Sequence, residues 1–347
     1  MNRDIIIKGL GQLGKLMRAL GENKKWEDFN LGVTQEEYEN LQLLILKQKQ
    51  FNGWFTEVNV RNAIGALGSQ LDESKLNNWV ANYSITSKPK KVGIVMAGNL
   101  PLVGFHDLLC VLLSGHNAVC KLSSDDKTLL PALIKQMEKW LPEVTDLVTF
   151  SLGPIGEIDV VIATGSDNST RYFEQYFGKY PHIFRSSRTS VAVITGDETE
   201  EEMKALGTDI FQYFGLGCRN VSHLLLPKDF DMVRFVGAII PYGDVINHHK
   251  YANNYDYNRT VFLLNKVPVL DNNFVLLRET EDLFSPLAVI HYQYYSSSSQ
   301  ISQFLSTNKD KIQAIVGRGY VPFGQAQCPK LNDYADGVDT MAFLSSI

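Results

Sequence analysis

From Lys91 onward the sequence alternates between short apolar runs and longer segments of helical character. The apolar runs occupy Val92 to Ala97, Ala118 to Leu122, Asp146 to Ser151, Ile158 to Ala163 and Val191 to Thr195. Segments such as Leu102 to Leu113, and the stretch from Gly165 through about Tyr176, lie between them. Strands separated by helices indicate parallel βαβ units. The chain is therefore predicted to be α/β, with a doubly wound parallel sheet.

The first eighty residues instead have a charged, helical pattern, with Leu10, Leu13, Met17 and Leu20 on one face. A chain of 347 residues with 44% hydrophobic content can bury the cores of two domains. We predict one domain over residues 1–189 and a second over residues 190–325. Residues 326–347 are predicted to form a C-terminal tail.

Composition argues against several classes of partner. The net charge is −5 and no long Lys/Arg run occurs, which argues against a nucleic-acid or anionic-membrane surface. His106 and Asp107 interrupt the longest apolar region, so no segment is predicted to span a bilayer. The first eight residues lack a signal-type apolar run, and the four cysteines have no disulfide or metal-ligand spacing. These features favour a protein of the reducing cytoplasm without a bound metal.

Cys218 is the candidate nucleophile. It follows a predicted helix, Glu198 to Phe214, and Gly215 and Gly217 allow a sharp turn that would present the thiol in a cleft. The alternative is a small buried hydrophobic residue at a helix end. His223, five residues further on, offers only a weak Cys–His dyad.

Two segments are candidate ribose or phosphate sites, because ligands of open parallel sheets bind beyond the carboxyl ends of strands. One is Lys121 through Ser124, and the other is Thr164-Gly165-Ser166. The alternative for the first is an ordinary capped helix beside a solvated lysine. Asn99, which also follows a strand, is either an oxyanion donor or a turn asparagine. His248 and His249 are adjacent and make a poor metal pair.

The order of these features resembles the aldehyde dehydrogenase superfamily, most closely the LuxC-type long-chain acyl-CoA reductases, over about residues 80–347. Gly98 to Leu102 resembles the motif W-N-F-P-L, Gly115 to Ser123 resembles G-N-T-V-V-L-K-P-S, and Thr164 to Ser166 resembles T-G-S. Gly217-Cys218 resembles G-Q-x-C, Asp282 to Pro286 resembles E-I-F-G-P, and Val321 to Gly324 resembles P-F-G-G.

The resemblance implies an aldehyde-dehydrogenase-like fold, in which residues 1–189 bind a nicotinamide cofactor and residues 190–325 carry the nucleophile. It implies that Cys218 is the nucleophile and that Asn99 helps to form the oxyanion hole. The cofactor-binding residues that it implies are Lys121, Ser123, Ser124, Thr164, Gly165, Ser166, Asp282 and Phe284.

One departure from the superfamily predicts the reaction. Aldehyde oxidation in relatives uses a glutamate of E-L-G-G-K-S-P to activate water, whereas the corresponding segment here, Phe184 to Ser190, has no carboxylate. This absence favours NAD(P)H-dependent reduction of a fatty acyl-CoA, or of an acyl-carrier thioester, to the aldehyde through an acyl-cysteine. The alternatives are a γ-glutamyl-phosphate-type or other acyl-phosphate reductase, and a non-catalytic nucleotide-binding member.

Further expectations concern the cofactor and the partners. Ser124 stands where NAD-preferring relatives carry a glutamate, which favours NADPH, with NADH as the alternative. Relatives pair through strands, which here would lie near residues 80–88 and 338–344, so a homodimer is expected. An acyltransferase or synthetase is the expected acyl donor. The segment Tyr251 to Tyr257 is interpreted either as the lining of an acyl or pantetheine channel or as a surface loop.

Overall fold

A computed structural model describes residues 2–27 and 31–347, so residues 1 and 28–30 lie outside the described residues. The chain divides into two units, residues 1–186 with 330–347 and residues 187–329. The sequence placed this boundary three residues later, after residue 189. Of the predicted tail, residues 326–347, the part from 330 onward belongs to the first unit.

The first unit begins with helices that match the charged N-terminal pattern. They are α1 (Arg3–Gly21), α2 (Gln35–Phe51), α3 (Glu57–Gln70) and α4 (Glu73–Val80). Each begins after a polar side chain that accepts a backbone N–H of the first turn, as helix N-termini require. The predicted apolar face of α1 is buried from Leu10 to Leu20 in the core of this unit.

A five-stranded parallel sheet follows. Its strands are β1 (Lys91–Val95), β2 (Asn117–Lys121), β3 (Val148–Ser151), β4 (Val160–Thr164) and β5 (His182–Arg185), and the helices between them are α5 (Phe105–Ser114), α6 (Leu129–Met137), α7 (Val144–Leu147) and α8 (Asp167–Phe177). The strand order β3-β2-β1-β4-β5 reverses direction between β1 and β4. This confirms the predicted doubly wound sheet, whose reversal point is where ligands usually bind.

The second unit contains a six-stranded sheet with a core of its own. Its strands are β6 (Thr189–Val193), β7 (Val221–Pro227), β8 (Leu270–Asp271), β9 (Leu276–Glu279), β10 (Val289–Tyr295) and β11 (Ile312–Val316), and its helices are α9 (Glu200–Phe211), α10 (Met232–Ile239), α11 (His249–Leu264) and α12 (Ser298–Thr307). The order is β11-β6-β7-β10-β9-β8, and the β8–β9 pair is antiparallel while the others are parallel.

The two strands expected to mediate dimerisation are not formed. Residues 80–88 include the end of α4 and an irregular segment, in which the Arg3 side chain bonds the carbonyls of Val80 and Tyr83. Residues 338–344 lead into helix α13 (Thr340–Ser345), because Asp339 accepts the Ala342 N–H and starts a helix. Met341 and Leu344 of α13 are buried in the core of the first unit.

The segment Tyr251 to Tyr257, interpreted as a channel lining or as a surface loop, lies within helix α11. Ser298 and Ser299, in the run of four serines that follows β10, begin α12. Across the described residues, no helix is both long enough and apolar enough to cross a membrane.

Candidate functional site

Cys218 lies in a tight turn between helix α9 and strand β7. The helix ends at Phe211, three residues before the predicted end at Phe214. The chain then leaves helical geometry, because Tyr213 and Phe214 have φ angles of +53° and +59°. A left-handed conformation costs a non-glycine residue roughly 1–2 kcal/mol. Favourable contacts elsewhere in the turn must offset this cost.

Asn220, two residues after the cysteine, makes a set of such contacts. Its Nδ2 donates to the backbone carbonyls of Asp209, Ile210 and Gln212 at 3.0, 3.2 and 2.8 Å. Its Oδ1 accepts the Gly217 N–H at 2.8 Å, and the residue is 2% exposed. Sequence reasoning missed Asn220, because it lies nine residues beyond Phe211, where α9 ends, and no local capping pattern marks it.

The thiol of Cys218 is on an exposed residue, so the alternative of a buried hydrophobic cysteine is wrong. Its backbone carbonyl accepts a hydrogen bond from the Ser190 hydroxyl at 2.9 Å. The Ser190 oxygen also accepts the Ala314 N–H at 3.1 Å, which ties the cysteine turn to β6 and β11. By contrast, burial raises the pKa of Cys110 and Cys120, so those thiols stay protonated.

A cleft of about 260 Å³ opens beside Cys218 within the second unit. Its larger apolar and aromatic lining residues are Ile210, Phe211, Phe214, Leu216, Tyr251, Val275, Phe284 and Leu287. Arg188 is the one charged residue among the described residues that line it, and none of these is Asp, Glu or His. The described lining therefore combines a thiol with an apolar wall and contains no carboxylate or imidazole.

Helix α11 contributes one part of the segment Tyr251 to Tyr257 to this cleft. Tyr251 is 2% exposed and lines the cleft, with its ring centroid 6.3 Å from that of Phe214. Tyr257 is 68% exposed and is not among the lining residues. Tyr251 therefore contributes to the cleft wall, and the segment is helical and not a surface loop.

His223 does not form a dyad with the cysteine. Its side chain is fully buried, its Nδ1 lies 3.1 Å from the carbonyl oxygen of Asp282, and its ring stacks on Phe304. Burial lowers its pKa to about 4, so the ring is neutral near pH 7. His223 supports the Asp282 backbone instead.

The loop after β9 carries two predicted cofactor residues. Phe284 is 43% exposed and lines the cleft. The Asp282 carboxylate is largely exposed and lies 3.8 Å from the Arg278 guanidinium. It is not among the residues that line the cleft.

The segment Val321 to Gly324 is held against α9. The Asp209 carboxylate accepts the N–H groups of Gly324 and Ala326 at 2.6 and 2.9 Å. Burial raises the pKa of Asp209 to about 6, so the carboxylate is ionised at neutral pH. Because Asn220 bonds the backbone carbonyl of the same residue, Asp209 connects this turn with the cysteine turn.

The predicted cofactor residues of the first unit lie at one edge of its sheet. Val95 at the end of β1 pairs with Lys121 on one side and with Ala163 on the other. Thr164 is the last residue of β4. Lys121 and Thr164 therefore lie at the carboxyl ends of β2 and β4, the strands that flank β1.

Gly165 and Ser166 connect β4 to the N-terminus of α8. Ser166 is the N-cap, and its hydroxyl accepts the Ser169 N–H at 3.3 Å. A Cβ at Gly165 would lie 2.7 Å from Ser169 Cβ and 3.0 Å from the Phe173 ring. Only glycine allows the backbone to lie this close to the first turn of α8.

Asn99 is exposed in the loop after β1. Contacts from three residues hold this loop. The Asp126 carboxylate accepts the Leu102 N–H at 2.7 Å, and the Asn52 Nδ2 donates to the Gly98 carbonyl at 3.1 Å. Ser123 packs against Gly98, where a Cβ would lie 2.3 Å from the serine hydroxyl oxygen. Burial raises the pKa of Asp126 to about 6. Ser124, next to Ser123, is exposed.

The segment Phe184 to Ser190, which the resemblance aligns with the motif of the water-activating glutamate, makes structural contacts. Arg185 is buried, forms an ion pair with Asp107 and donates to the Thr340 hydroxyl at 2.8 Å. It thereby fixes helix α13 within the first unit.

No cluster of three or more His, Cys, Asp or Glu side chains suited to a metal occurs within residues 2–27 and 31–347. The neighbouring rings of His248 and His249 stack at a centroid distance of 5.2 Å.

Solved structures that share this architecture are aldehyde dehydrogenases. One is the indole-3-acetaldehyde dehydrogenase AldA of P. syringae in complex with NAD+ and IAA (TM-score 0.62, 11% identity, 91% of this chain and 72% of that chain). Others are an NAD+ complex of a Bacillus cereus aldehyde dehydrogenase (0.61, 13%, 91% and 72%) and a putative aldehyde dehydrogenase PutA from Anabaena variabilis (0.59, 12%, 94% and 81%). The fold is therefore that of the aldehyde dehydrogenases.

The family within this class follows from a direct sequence match. The family model for acyl-CoA reductase (LuxC) matches residues 23–233, more than half of the chain. The chain belongs to the LuxC acyl-CoA reductase family and is an oxidoreductase. No curated protein matches it.

Proposed function

We propose that the protein reduces a fatty acyl thioester, either an acyl-CoA or an acyl-carrier conjugate, to the aldehyde through an acyl group on Cys218. The observation that carries this proposal is the cleft beside Cys218, whose described lining contains no carboxylate or imidazole. An enzyme that hydrolyses its acyl-cysteine needs a base to activate water. A reductase does not, because acyl transfer between two sulfurs and hydride delivery complete its cycle.

The chain's own part in the reaction begins with the Cys218 thiolate. It attacks the thioester carbonyl and forms a new C–S bond, while negative charge develops on the carbonyl oxygen. The Cys218 N–H is the proposed oxyanion donor, and the family resemblance adds the Asn99 amide, each contributing on the order of 3 kcal/mol. The bond to the leaving sulfur then breaks, and that sulfur departs as a thiolate and takes a proton from solvent.

The residues at the sheet edge of the first unit fit a nicotinamide dinucleotide. Gly165 leads directly into the N-terminus of α8, and the positive end of a helix dipole favours a pyrophosphate. On the other side of β1, at the carboxyl end of β2, Lys121 offers an ammonium group and Ser123 offers a hydroxyl. When bound, the reduced nicotinamide supplies the hydride. By resemblance, Asp282 and Phe284 hold its ribose end.

We infer that NADPH is the preferred cofactor. Ser124 is exposed, and by resemblance its hydroxyl stands near the position where NAD-preferring relatives carry a carboxylate. The missing negative charge removes repulsion toward a 2′-phosphate, and Lys121 attracts one. NADH is the alternative.

The aromatic lining of the cleft supports an aliphatic acyl group as substrate. Phe211, Phe214 and Tyr251 would cover methylene groups, each of which contributes about 0.8 kcal/mol when buried. Arg188 in the same lining favours a second candidate, an acyl-phosphate reductase, because a guanidinium binds phosphate well. A non-catalytic nucleotide-binding role is the third alternative.

One assay separates these functions. The purified protein is given NADPH or NADH with palmitoyl-CoA, or with acetyl phosphate and γ-glutamyl phosphate, and cofactor oxidation is followed with aldehyde trapping. We expect aldehyde from palmitoyl-CoA with NADPH. Activity confined to acyl phosphates would establish the second candidate, and cofactor binding without oxidation by any substrate would establish the third.

We also propose a cytoplasmic homodimer that receives its acyl groups from an acyltransferase or synthetase. The dimer rests on the family resemblance, and its interface must use surfaces other than the two expected strands. Light scattering should give about 78 kDa, twice the chain mass of 39.0 kDa. A single species at the chain mass would contradict the dimer.

A further inference from the structure

Asn220 connects the end of helix α9 to the turn that carries Cys218. Helix ends leave backbone carbonyls without intrahelical partners. Here the Asn220 Nδ2 atom bonds three of them, those of Asp209, Ile210 and Gln212. This contact fixes the side chain relative to the last turn of the helix.

The other atoms of Asn220 hold the residue before the cysteine. Its Oδ1 accepts the Gly217 N–H at 2.8 Å, and its own backbone N–H donates to the Gly217 carbonyl at 3.0 Å. Both polar backbone atoms of Gly217 are therefore bonded to one buried residue. On the other side of the cysteine, the Cys218 carbonyl accepts the Ser190 hydroxyl at 2.9 Å.

These contacts set the direction of one particular N–H group. The Gly217 carbonyl and the Cys218 N–H belong to the same peptide plane and point in opposite directions when the bond is trans. No cis peptide bond occurs in the described chain. The hydrogen bond from the Asn220 backbone N–H to the Gly217 carbonyl therefore also orients the Cys218 N–H. The Asn220 side chain holds that backbone N–H in place through its contacts with the end of α9 and with the Gly217 N–H.

We propose that Asn220 is a positioning residue that aims the Cys218 N–H at the oxyanion formed during acyl transfer. This inference rests on the proposed acyl-cysteine function. Asn220 is 2% exposed, and it acts on the reaction through the backbone rather than by touching substrate.

The role predicts that two reactions of the same thiol will respond differently. Transfer of an acyl group from a thioester develops an oxyanion, whereas alkylation by iodoacetamide displaces iodide and develops none. Loss of the aimed N–H should slow the first reaction and leave the second nearly unchanged. A purely structural role would lower both reactions together.

The test uses the full-length protein with variants N220A and N220D. Aspartate keeps the acceptor for the Gly217 N–H but cannot donate to the three helix carbonyls. The matched control is N308A, because Asn308 Nδ2 donates to the Phe304 carbonyl at the end of α12 in the same unit. CoA release from palmitoyl-CoA in a single turnover without cofactor is compared with iodoacetamide labelling of Cys218, and circular dichroism verifies folding.

We expect N220A to slow acyl transfer by about 10- to 100-fold, N220D by less, and alkylation by under about 3-fold. N308A should match wild type in both reactions. Unchanged acyl transfer, or an equal fall of both reactions in a folded variant, would overturn the inference. If N220A does not fold, N220D alone decides by the same two outcomes. Wild-type protein that releases no CoA but is alkylated would instead refute the proposed function.

Discussion

His223 and His291 lie opposite each other on strands β7 and β10, and both rings donate from Nδ1 to one backbone carbonyl, that of Asp282. The two distances are 3.1 and 2.8 Å, and both side chains are at most 2% exposed. Burial lowers the pKa of each ring. A neutral pair of histidines therefore anchors the loop that carries Asp282 and Phe284.

This pair should make the stability of the protein depend on pH. The pKa of His223 is about 4 in the folded protein, whereas an ordinary histidine has a pKa of 6.5. Between these two pH values the unfolded chain binds a proton at this residue and the folded chain does not. The free energy of unfolding should therefore decrease as the pH is lowered from 6.5 to 4. His223 alone should contribute about 3 kcal/mol to this decrease. The fall should be complete near pH 4 and absent above about pH 6.5.

Urea unfolding at pH 7 and at pH 4.5 checks this expectation in wild type, H223Q and H249Q. The H223Q variant should lose about 2–3 kcal/mol less than wild type between the two values, because glutamine does not titrate. His249 is exposed on α11, and H249Q should follow wild type. Equal losses in wild type and H223Q would show that His223 does not resist protonation.

Ser124→Glu should change the choice of cofactor. A carboxylate beside a 2′-phosphate adds repulsion of about 1–2 kcal/mol, so the Kd for NADPH should rise about 10-fold or more while that for NADH changes by under about 3-fold. Fluorescence titration measures both constants, with Ser124→Ala as the matched control. An equal change in the Kd values of the two cofactors would show that Ser124 does not determine the preference for NADPH over NADH.

Gly165→Ala tests the close approach of the backbone to helix α8. The added Cβ would lie 2.7 Å from Ser169 Cβ, so the first turn of α8 must shift. We expect a loss of about 1–3 kcal/mol in stability and weaker NADPH binding. Gly153→Ala is the control, because no heavy atom lies within 4 Å of its Cβ position. Unaltered NADPH binding by a folded G165A protein would contradict the assignment of this turn to the cofactor.

Local pattern predicted β1 to β4 of the first sheet, because an apolar run in the sequence covers each of them. It missed β5, whose terminal His182 and Arg185 leave only two apolar residues. In β4, Val160 to Ala163 are all buried, as expected for a strand covered on both faces. Helix α11 could not be predicted in this way, because its Asn, His and Tyr residues have low helix propensity. Its buried residues Tyr251, Tyr255 and Phe262 indicate that tertiary packing stabilises it.

Motif order predicted roles for Cys218, Asn99 and the loop of Phe284, because site residues recur in recognisable sequence patterns. Asn220 does not belong to a recognisable motif, because its proposed role is to orient the backbone. That role depends on the position at which α9 ends, and the sequence pattern predicted this end at Phe214, three residues after the observed end at Phe211. The error at residues 338–344 arose differently. There the strand was inferred from relatives, whereas the local signal, Asp339 as an N-cap, predicts a helix.

The central claim is that Cys218 accepts the acyl group from a thioester. Intact-mass spectrometry after mixing the protein with palmitoyl-CoA, without cofactor, tests it most directly. Wild type should gain one palmitoyl mass that peptide mapping places on Cys218, C218S should gain none, and C328S should behave as wild type, because Cys328 is the other exposed cysteine. A C218S protein that still gained the adduct, or still produced aldehyde with NADPH, would contradict the account.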